Sequence, residues 1–489
     1  MKTTLEEALA RTSPRLAPPP TPFASIVIHL SVMVLWFVLF ARAFFLQGVV
    51  AWSTGIAYVV YDTVLLMFVA WKARVLLAPP AASSGAASEA TLPTLGVIVA
   101  AHNEAAVLPI TLDALFAQTR VPQQIVIADD GSTDGTAALL AERYGLHDPG
   151  EGQLSAPSPQ YPNLRWLKLA HGGKARALNA ALLAIATETV MTVDADTLLE
   201  PDACAAMASA FGREPELVAA AGLLTPLCDH TLSGRFFQWF QTYEYIRNFI
   251  SRFAWMRADS LLLVSGAFAG FRRDAVMAVG GFDPHCLVED YELIHRLRRY
   301  SAREGLGWDV RVLGSARAST DAPGTLASFL RQRRRWFAGF LQTQYWYRDM
   351  TGNRLYGKLG LMMLPVKAFD TVQPIYGLTA FALLLGFLFD GRFTIVLPVL
   401  GVIVGKIAID LAFHLYSVHL YRRWSGDRTH SSFGMALLAA IFEPFSFQLM
   451  RHSGAALGWL HFLLGRRKWG VQRRAGLAAA RNRESAASQ

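Results

Sequence analysis

Two blocks of membrane-length apolar sequence, one towards each end of the chain, constrain this fold more than any single motif. Phe23 to about Phe45 and Val49 to about Trp71 each have the roughly 20 residues that a helix needs to cross a bilayer. Thr371 to Phe389 and Phe393 to about Leu420 repeat the pattern, joined by the short turn Asp390-Gly391-Arg392. Helical spans satisfy their own backbone in lipid, so the polar middle of the chain must fold in water between them. Composition agrees: 53% of the residues are hydrophobic and 17% charged, which excludes an ordinary soluble enzyme. The first span is too long for a secretory signal and lacks a small-residue cleavage site.

The net charge of +9 is carried beside these apolar runs, as in Arg422-Arg423 and Arg466-Arg467-Lys468. That placement reads as topology signalling and not as a nucleic-acid surface. Lys2, Arg11 and Arg15 precede the first span, and Lys72 and Arg74 follow the second. The positive-inside rule therefore puts the N-terminus and the middle of the chain in the cytoplasm. Residues 1–22 are polar, end in Pro18-Pro19-Pro20-Thr21-Pro22, and are expected to lack a stable fold. Residues 23–71 hold the two spans, and 72–94 form a linker that includes Pro79-Pro80-Ala81-Ala82-Ser83-Ser84-Gly85. Residues 350–370, with Lys358 and Lys367 among Leu and Met, read as an interfacial helix. Residues 371–465 hold the C-terminal membrane helices. Within them, Phe433 to Met450 and Ala455 to Leu464 fit a hairpin, a broken span plus an interfacial helix, or a re-entrant pair. Residues 466–489 form a basic cytoplasmic tail. Cys204, Cys228 and Cys286 have no metal-ligand spacing and read as buried thiols.

Between residues 95 and 349 the pattern changes to short β-branched runs that alternate with helical segments. Val97-Ile98-Val99, Ile125-Val126-Ile127 and Val190-Met191-Thr192-Val193 are continuous apolar strands, as in a parallel sheet buried on both faces. Leu112 to Ala117, Ala137 to Tyr144 and Ala175 to Thr187 are helical between them. The alternation predicts a doubly wound α/β domain, with ligands at the C-terminal ends of the strands.

Five short signatures sit in this domain. Asp129-Asp130-Gly131 closes the second strand, where Asp130 could meet a base N–H or simply build an Asx turn. His171-Gly172-Gly173-Lys174 precedes a helix, so its N–H groups and Lys174 suit a phosphate, or form a loop with a solvated lysine. Asp194-Ala195-Asp196 ends a strand and sends both carboxylates to one face, which suits Mg²⁺ or Mn²⁺ on a diphosphate. Glu289-Asp290 opens an amphipathic helix, as favourable partners of the helix dipole or as a general base. Gln332, Arg335 and Trp336 share a helical face at i, i+3 and i+4, either as a ligand site or as a basic interfacial helix with a Trp anchor. Lys406 and Asp410 are also at i, i+4, within a span that carries His414, and Asp62 lies at similar depth. They fit a polar path or a self-neutralising pair.

In this order the signatures resemble the membrane-embedded, inverting glycosyltransferase family 2, which includes the cellulose, hyaluronan, chitin and poly-N-acetylglucosamine synthases. The likeness covers roughly Leu95 to Tyr347 and is greatest to the poly-N-acetylglucosamine synthase type, through Gly172-Gly173-Lys174-Ala175 and Ser265-Gly266-Ala267-Phe268. It implies a GT-A domain between membrane helices, in a bacterial inner membrane, with catalysis on the cytoplasmic side. It further implies a UDP-sugar donor held by Asp130, Lys174, Asp194 and Asp196, with Mg²⁺ or Mn²⁺ on the last two. Asp290 would be the base, and Ser265, Gly266, Glu289, Gln332, Arg335 and Trp336 would line the acceptor and pyrophosphate site. The acceptor would be a growing β-linked polysaccharide or a membrane lipid, with export subunits as further partners. Three departures stand out: the Cys-Gly signature of cellulose and hyaluronan synthases is absent around Ser265, Val288 replaces the commoner Thr before Glu289-Asp290, and the gating-loop motif is not recognisable.

Overall fold

A computed structural model describes residues 2–78, 92–429 and 431–465. Most of the expected linker, residues 79–91, and the expected basic tail, 466–489, lie outside the described residues. Three helices come first: α1 (Lys2–Thr12), α2 (Phe23–Arg42) and α3 (Ser53–Ala73). Strands β1 (Leu95–Ala101), β2 (Gln124–Asp130), β3 (Leu164–Leu169) and β4 (Thr189–Asp194) then alternate with α4 (Leu108–Phe116), α5 (Thr136–Tyr144) and α6 (Lys174–Ala184). After β5 (Thr197–Leu199) come α7 (Ala203–Arg213), β6 (Leu217–Leu227), α8 (Leu232–Met256), β7 (Phe268–Arg272) and α9 (Arg273–Ala278). The domain finishes with α10 (Glu289–Glu304), β8 (Asp309–Asp321) and α11 (Leu326–Trp346). The remaining helices are α12 (Leu364–Asp370), α13 (Gln373–Phe389), α14 (Phe393–Ser425), α15 (Phe433–Phe442) and α16 (Phe447–Leu463).

The eight strands make one mixed sheet in the order β3-β2-β1-β4-β7-β6-β8-β5. Val97, Ile98, Val99, Ile125 and Ile127 are fully enclosed, which is why these strands carry no polar alternation. β1 pairs in parallel with β2 and with β4, and Ala100 lies opposite Asp194. The chain runs outward to β3 and then returns to lay β4 on the other side of β1. That reversal opens a crevice at the strand C-termini, where open α/β sheets bind ligands. Beyond it, β7 is antiparallel to both β4 and β6, so the sheet is parallel only in part. A buried ion pair locks α10: Arg296 donates to Glu292 at 2.7 Å and to the carbonyls of Val279 and Gly281. Tyr347 donates to the same glutamate.

The N-terminal segment departs from expectation. Instead of lacking structure, α1 seats Leu5, Ala8 and Leu9 in the domain. Thr12 Oγ1 donates to the Val279 carbonyl at 2.8 Å, and Arg15 holds Asp283 through two hydrogen bonds. Polar composition disguised a helix whose three apolar side chains at i, i+3 and i+4 need a partner surface.

Four helices, Phe23–Arg42, Gly48–Leu77, Leu359–Phe389 and Phe393–Ser425, are long and apolar enough to cross a membrane. Large side chains such as Phe37, Leu397 and Val404 stand exposed on them and require lipid in place of water. The segment read as an interfacial helix runs through a π-turn and α12 towards α13, within the Leu359–Phe389 span. α15 and α16 form a pair bent by 51°. α16 packs tightly on α11 because a Cβ at Gly454 or Gly458 would come within 2.6 Å of Arg333 or Phe337.

Candidate active site

At the C-terminal ends of the strands lies a cavity of about 180 Å³. β4 delivers Asp194, the turn after it Asp196, and α10 Glu289 and Asp290. The loop before β7 adds Ser265, and α11 adds Gln332, Arg335 and Trp336. These motifs are far apart in sequence and meet in one space.

Asp290 is the most closely positioned of them. Its Oδ2 accepts from the Gly266 N–H at 2.6 Å and its Oδ1 from the Tyr291 N–H at 2.8 Å. A Cβ on residue 266 would lie 3.1 Å from the Asp290 carboxylate, so the close approach needs glycine. Lys174 reaches Asp194 as an ion pair and stands 3.9 Å from Glu289. Burial alone would depress the Lys174 ammonium, but Asp194, Glu289 and Asp290 together hold it above its ordinary value. Burial likewise pushes the Glu289 carboxyl up, against the pull of Lys174 and with the push of Asp290.

Gln332 is buried, and its Oε1 has no hydrogen-bond partner. Trp336 is held from behind by Arg333, whose guanidinium lies 4.6 Å from the ring centroid. Arg333 is not at a lipid interface, as a basic membrane-facing helix would require. It is buried and pairs with Glu244 of α8 at 2.6 Å. The helix α8 is the part that sequence reasoning missed: Tyr245, Asn248, Phe249 and Arg252 wall the cavity opposite the sheet. The spacing of these polar groups along an amphipathic helix was the available signal.

Asp130 stands apart from this group. It does not line the cavity; its carboxylate accepts from the N–H groups of Gly172 and Gly173 at 2.7 and 3.0 Å and meets His171 Nδ1 at 2.9 Å. The two amides expected to await a phosphate are therefore engaged by an internal carboxylate, which substitutes for an external anion. His102 stacks on His171, with ring centroids 4.4 Å apart. His102, Asp130 and His171 each offer a ligand atom within 4.8 Å of the others, a set that could hold a metal ion. The carboxylates of Asp194 and Asp196 make a second, harder donor set. Five carboxylates and three cations line the 180 Å³ cavity, a formal excess that one divalent ion offsets.

Asn248, Arg252, Leu263, Trp336 and Phe340 also line a second cavity, of about 500 Å³, among α3, α8, α13, α14 and α16. Its carboxylates are paired: Glu443 with Arg247 at 2.6 Å, and Asp62 and Asp410 with Lys406, the first at 2.7 Å.

Comparison with known proteins finds related sequences and a related fold. The family described as "Glycosyl transferase family 2" matches residues 96–280, and "Glycosyl transferase family group 2" matches residues 189–408. A poly-beta-1,6-N-acetyl-D-glucosamine synthase of Staphylococcus epidermidis is 26% identical over 287 residues, 58% of this chain and 62% of that protein. The synthase of the same name from Staphylococcus aureus (strain COL) is 28% identical over 244 residues, 50% of this chain and 53% of that protein. The match therefore spans less than two thirds of those relatives. Among solved structures, the mannosyltransferase PcManGT of Pyrobaculum calidifontis, in complex with GDP-Man and Mn²⁺, superimposes with a TM-score of 0.54. The match covers 81% of this chain and 99% of that one at 21% identity, a likeness of GT-A fold. The two family matches and these relatives therefore identify residues 96–408 as glycosyltransferase family 2 sequence.

Proposed function

We propose that the protein transfers a hexosyl or N-acetylhexosaminyl group from a UDP-sugar to a growing β-linked polysaccharide, with inversion, and passes the product across the membrane. One observation carries this reading: Asp290, the Asp194–Asp196 pair and the Gln332–Trp336 face share a cavity that adjoins a larger one among the membrane helices. In this reading the segment 95–349 is the cytoplasmic catalytic domain, and the membrane is the bacterial inner membrane.

Asp290, fixed by the Gly266 N–H, takes the proton of an acceptor hydroxyl. The hydroxyl oxygen bonds to the anomeric carbon as the bond to the diphosphate breaks, and UDP leaves. A single in-line displacement gives the β-linked product. Asp194 and Asp196 would hold Mg²⁺ or Mn²⁺, whose chemistry is to neutralise diphosphate charge. Lys174 keeps Asp194 in place, and Arg335 faces the leaving group. Trp336 offers a flat apolar wall to the acceptor sugar, and the unpartnered Gln332 Oε1 can accept from one of its hydroxyls. Glu289 and Ser265 complete the acceptor wall. The donor reading is supported by the relatives, whose name is poly-beta-1,6-N-acetyl-D-glucosamine synthase, and the metal by the Mn²⁺ in the mannosyltransferase complex.

Purified protein offered UDP-N-acetylglucosamine, UDP-glucose and UDP-galactose with Mg²⁺ or Mn²⁺ is expected to release UDP from one of them and to build high-mass product. Asp290→Asn should release UDP about 10²–10⁴-fold more slowly. UDP release with only single additions to a lipid acceptor would replace the polymer reading by a non-processive one.

A further inference from the structure

We propose that Arg252 anchors an oxyanion, a phosphate or a carboxylate, carried by the acceptor next to the sugar that is extended. The proposal rests on the transfer reading above and concerns the seam between the two cavities. Arg252 projects from α8 and lines both. Its Nε and Nη1 atoms are sealed from solvent and have no hydrogen-bond partner, and its guanidinium carbon lies 4.7 Å from the Phe249 ring centroid.

Every other Lys or Arg lining the larger cavity has a carboxylate within 4.0 Å. Arg247 has Glu443, Arg333 has Glu244, Lys367 has Asp370, Lys406 has Asp62 and Arg451 has Glu244. Among the described residues no carboxylate pairs with Arg252. Burial lowers its guanidinium to about 10, partly opposed by Tyr245 and Asp290, and leaves it charged at neutral pH. A buried, unpaired guanidinium is costly and is compensated when an anion enters. The fork geometry of arginine matches phosphate and carboxylate oxygens. The donor-side groups Lys174, Asp194 and Asp196 line only the smaller cavity, whereas Arg252 also borders the larger one, so the anion belongs to the acceptor.

The test is equilibrium binding of fluorescent N-acetylglucosamine disaccharides to the full-length protein in zwitterionic nanodiscs. Three forms are compared: a neutral glycoside, a short-chain prenyl phosphodiester, and a glycoside that carries a uronate carboxylate. Wild type should bind at least one anionic form roughly tenfold more tightly than the neutral form. Arg252→Gln should lose that preference, and Arg252→Lys should keep part of it. Neutral-form binding and UDP binding should not change, and the melting temperature without ligand should not fall. A preference for the phosphodiester alone assigns a lipid-linked acceptor, and a preference for the carboxylate alone assigns an acidic polysaccharide. Equal binding of all three forms by wild type, or an equal loss of all three in Arg252→Gln, would overturn the proposal. Binding is read without turnover, so loss of UDP binding in wild type would count against the transfer reading instead.

Discussion

The two cavities are both lined with charge but arrange it in opposite ways. In the smaller one, carboxylates crowd together with too few cations: Asp194, Asp196, Glu289, Asp290 and Asp321 face Lys174, Arg252 and Arg335. In the larger one, each carboxylate has its cation, as with Arg247–Glu443 and Lys406–Asp62. Unbalanced charge is poised to bind and react, because a ligand's charge completes it. Balanced charge supplies polar contacts without holding any one ligand tightly, which suits a passage. The difference teaches that charge inside a protein marks chemistry only where it is left incomplete.

The sharpest break in this comparison comes from the base. Asp290→Asn should lower kcat by about 10²–10⁴-fold and leave UDP affinity unchanged, measured by radiolabelled transfer and by calorimetry. An unchanged rate would remove the smaller cavity from the chemistry. In the larger cavity, Glu443→Gln leaves Arg247 with a neutral partner at a buried site. It should cost about 3 kcal/mol in a thermal unfolding assay, with rates on short acceptors kept in the protein that stays folded. A loss of rate without a loss of stability would give that cavity a catalytic part.

Gly266→Ala probes a smaller effect. The added Cβ must push Asp290 aside at 3.1 Å, so kcat should drop roughly tenfold with the fold retained. Circular dichroism beside kinetics separates the two. The smallest effect concerns Glu289, whose proton is held above the ordinary carboxylate range. Between the ordinary and the raised value the folded protein binds more protons than the unfolded chain, so stability falls as pH rises through that window. Glu289→Gln should flatten this part of the melting-temperature profile, and an identical profile would show Glu289 to be held as the carboxylate.

Much of this was legible in the sequence, because the informative residues are tied to local geometry. Asp194 and Asp196 follow a buried apolar strand, so the strand's end placed them. Glu289 and Asp290 begin a helix, and Gln332, Arg335 and Trp336 share an α-helical face at i, i+3 and i+4. Asp130 was legible as a strand-end carboxylate but not as the acceptor of the Gly172 and Gly173 amides, since that pairing joins two loops. The pairing of Arg333 was not legible for the same reason: its neighbours in sequence are basic, and its partner Glu244 lies on another helix.

By itself, then, the sequence determined the apolar spans, the alternating α/β pattern and the order of the acidic and basic signatures, all of which depend on periodicities of two and 3.6 residues. Only the tertiary structure decided which of those groups face one another. It docked α1 on the domain, drew α8 across the mouth of the site, closed α11 on α16 through Gly454 and Gly458, and left Arg252 unpaired at the seam. Contacts between residues hundreds of positions apart follow from packing surfaces against each other, and no local pattern encodes them.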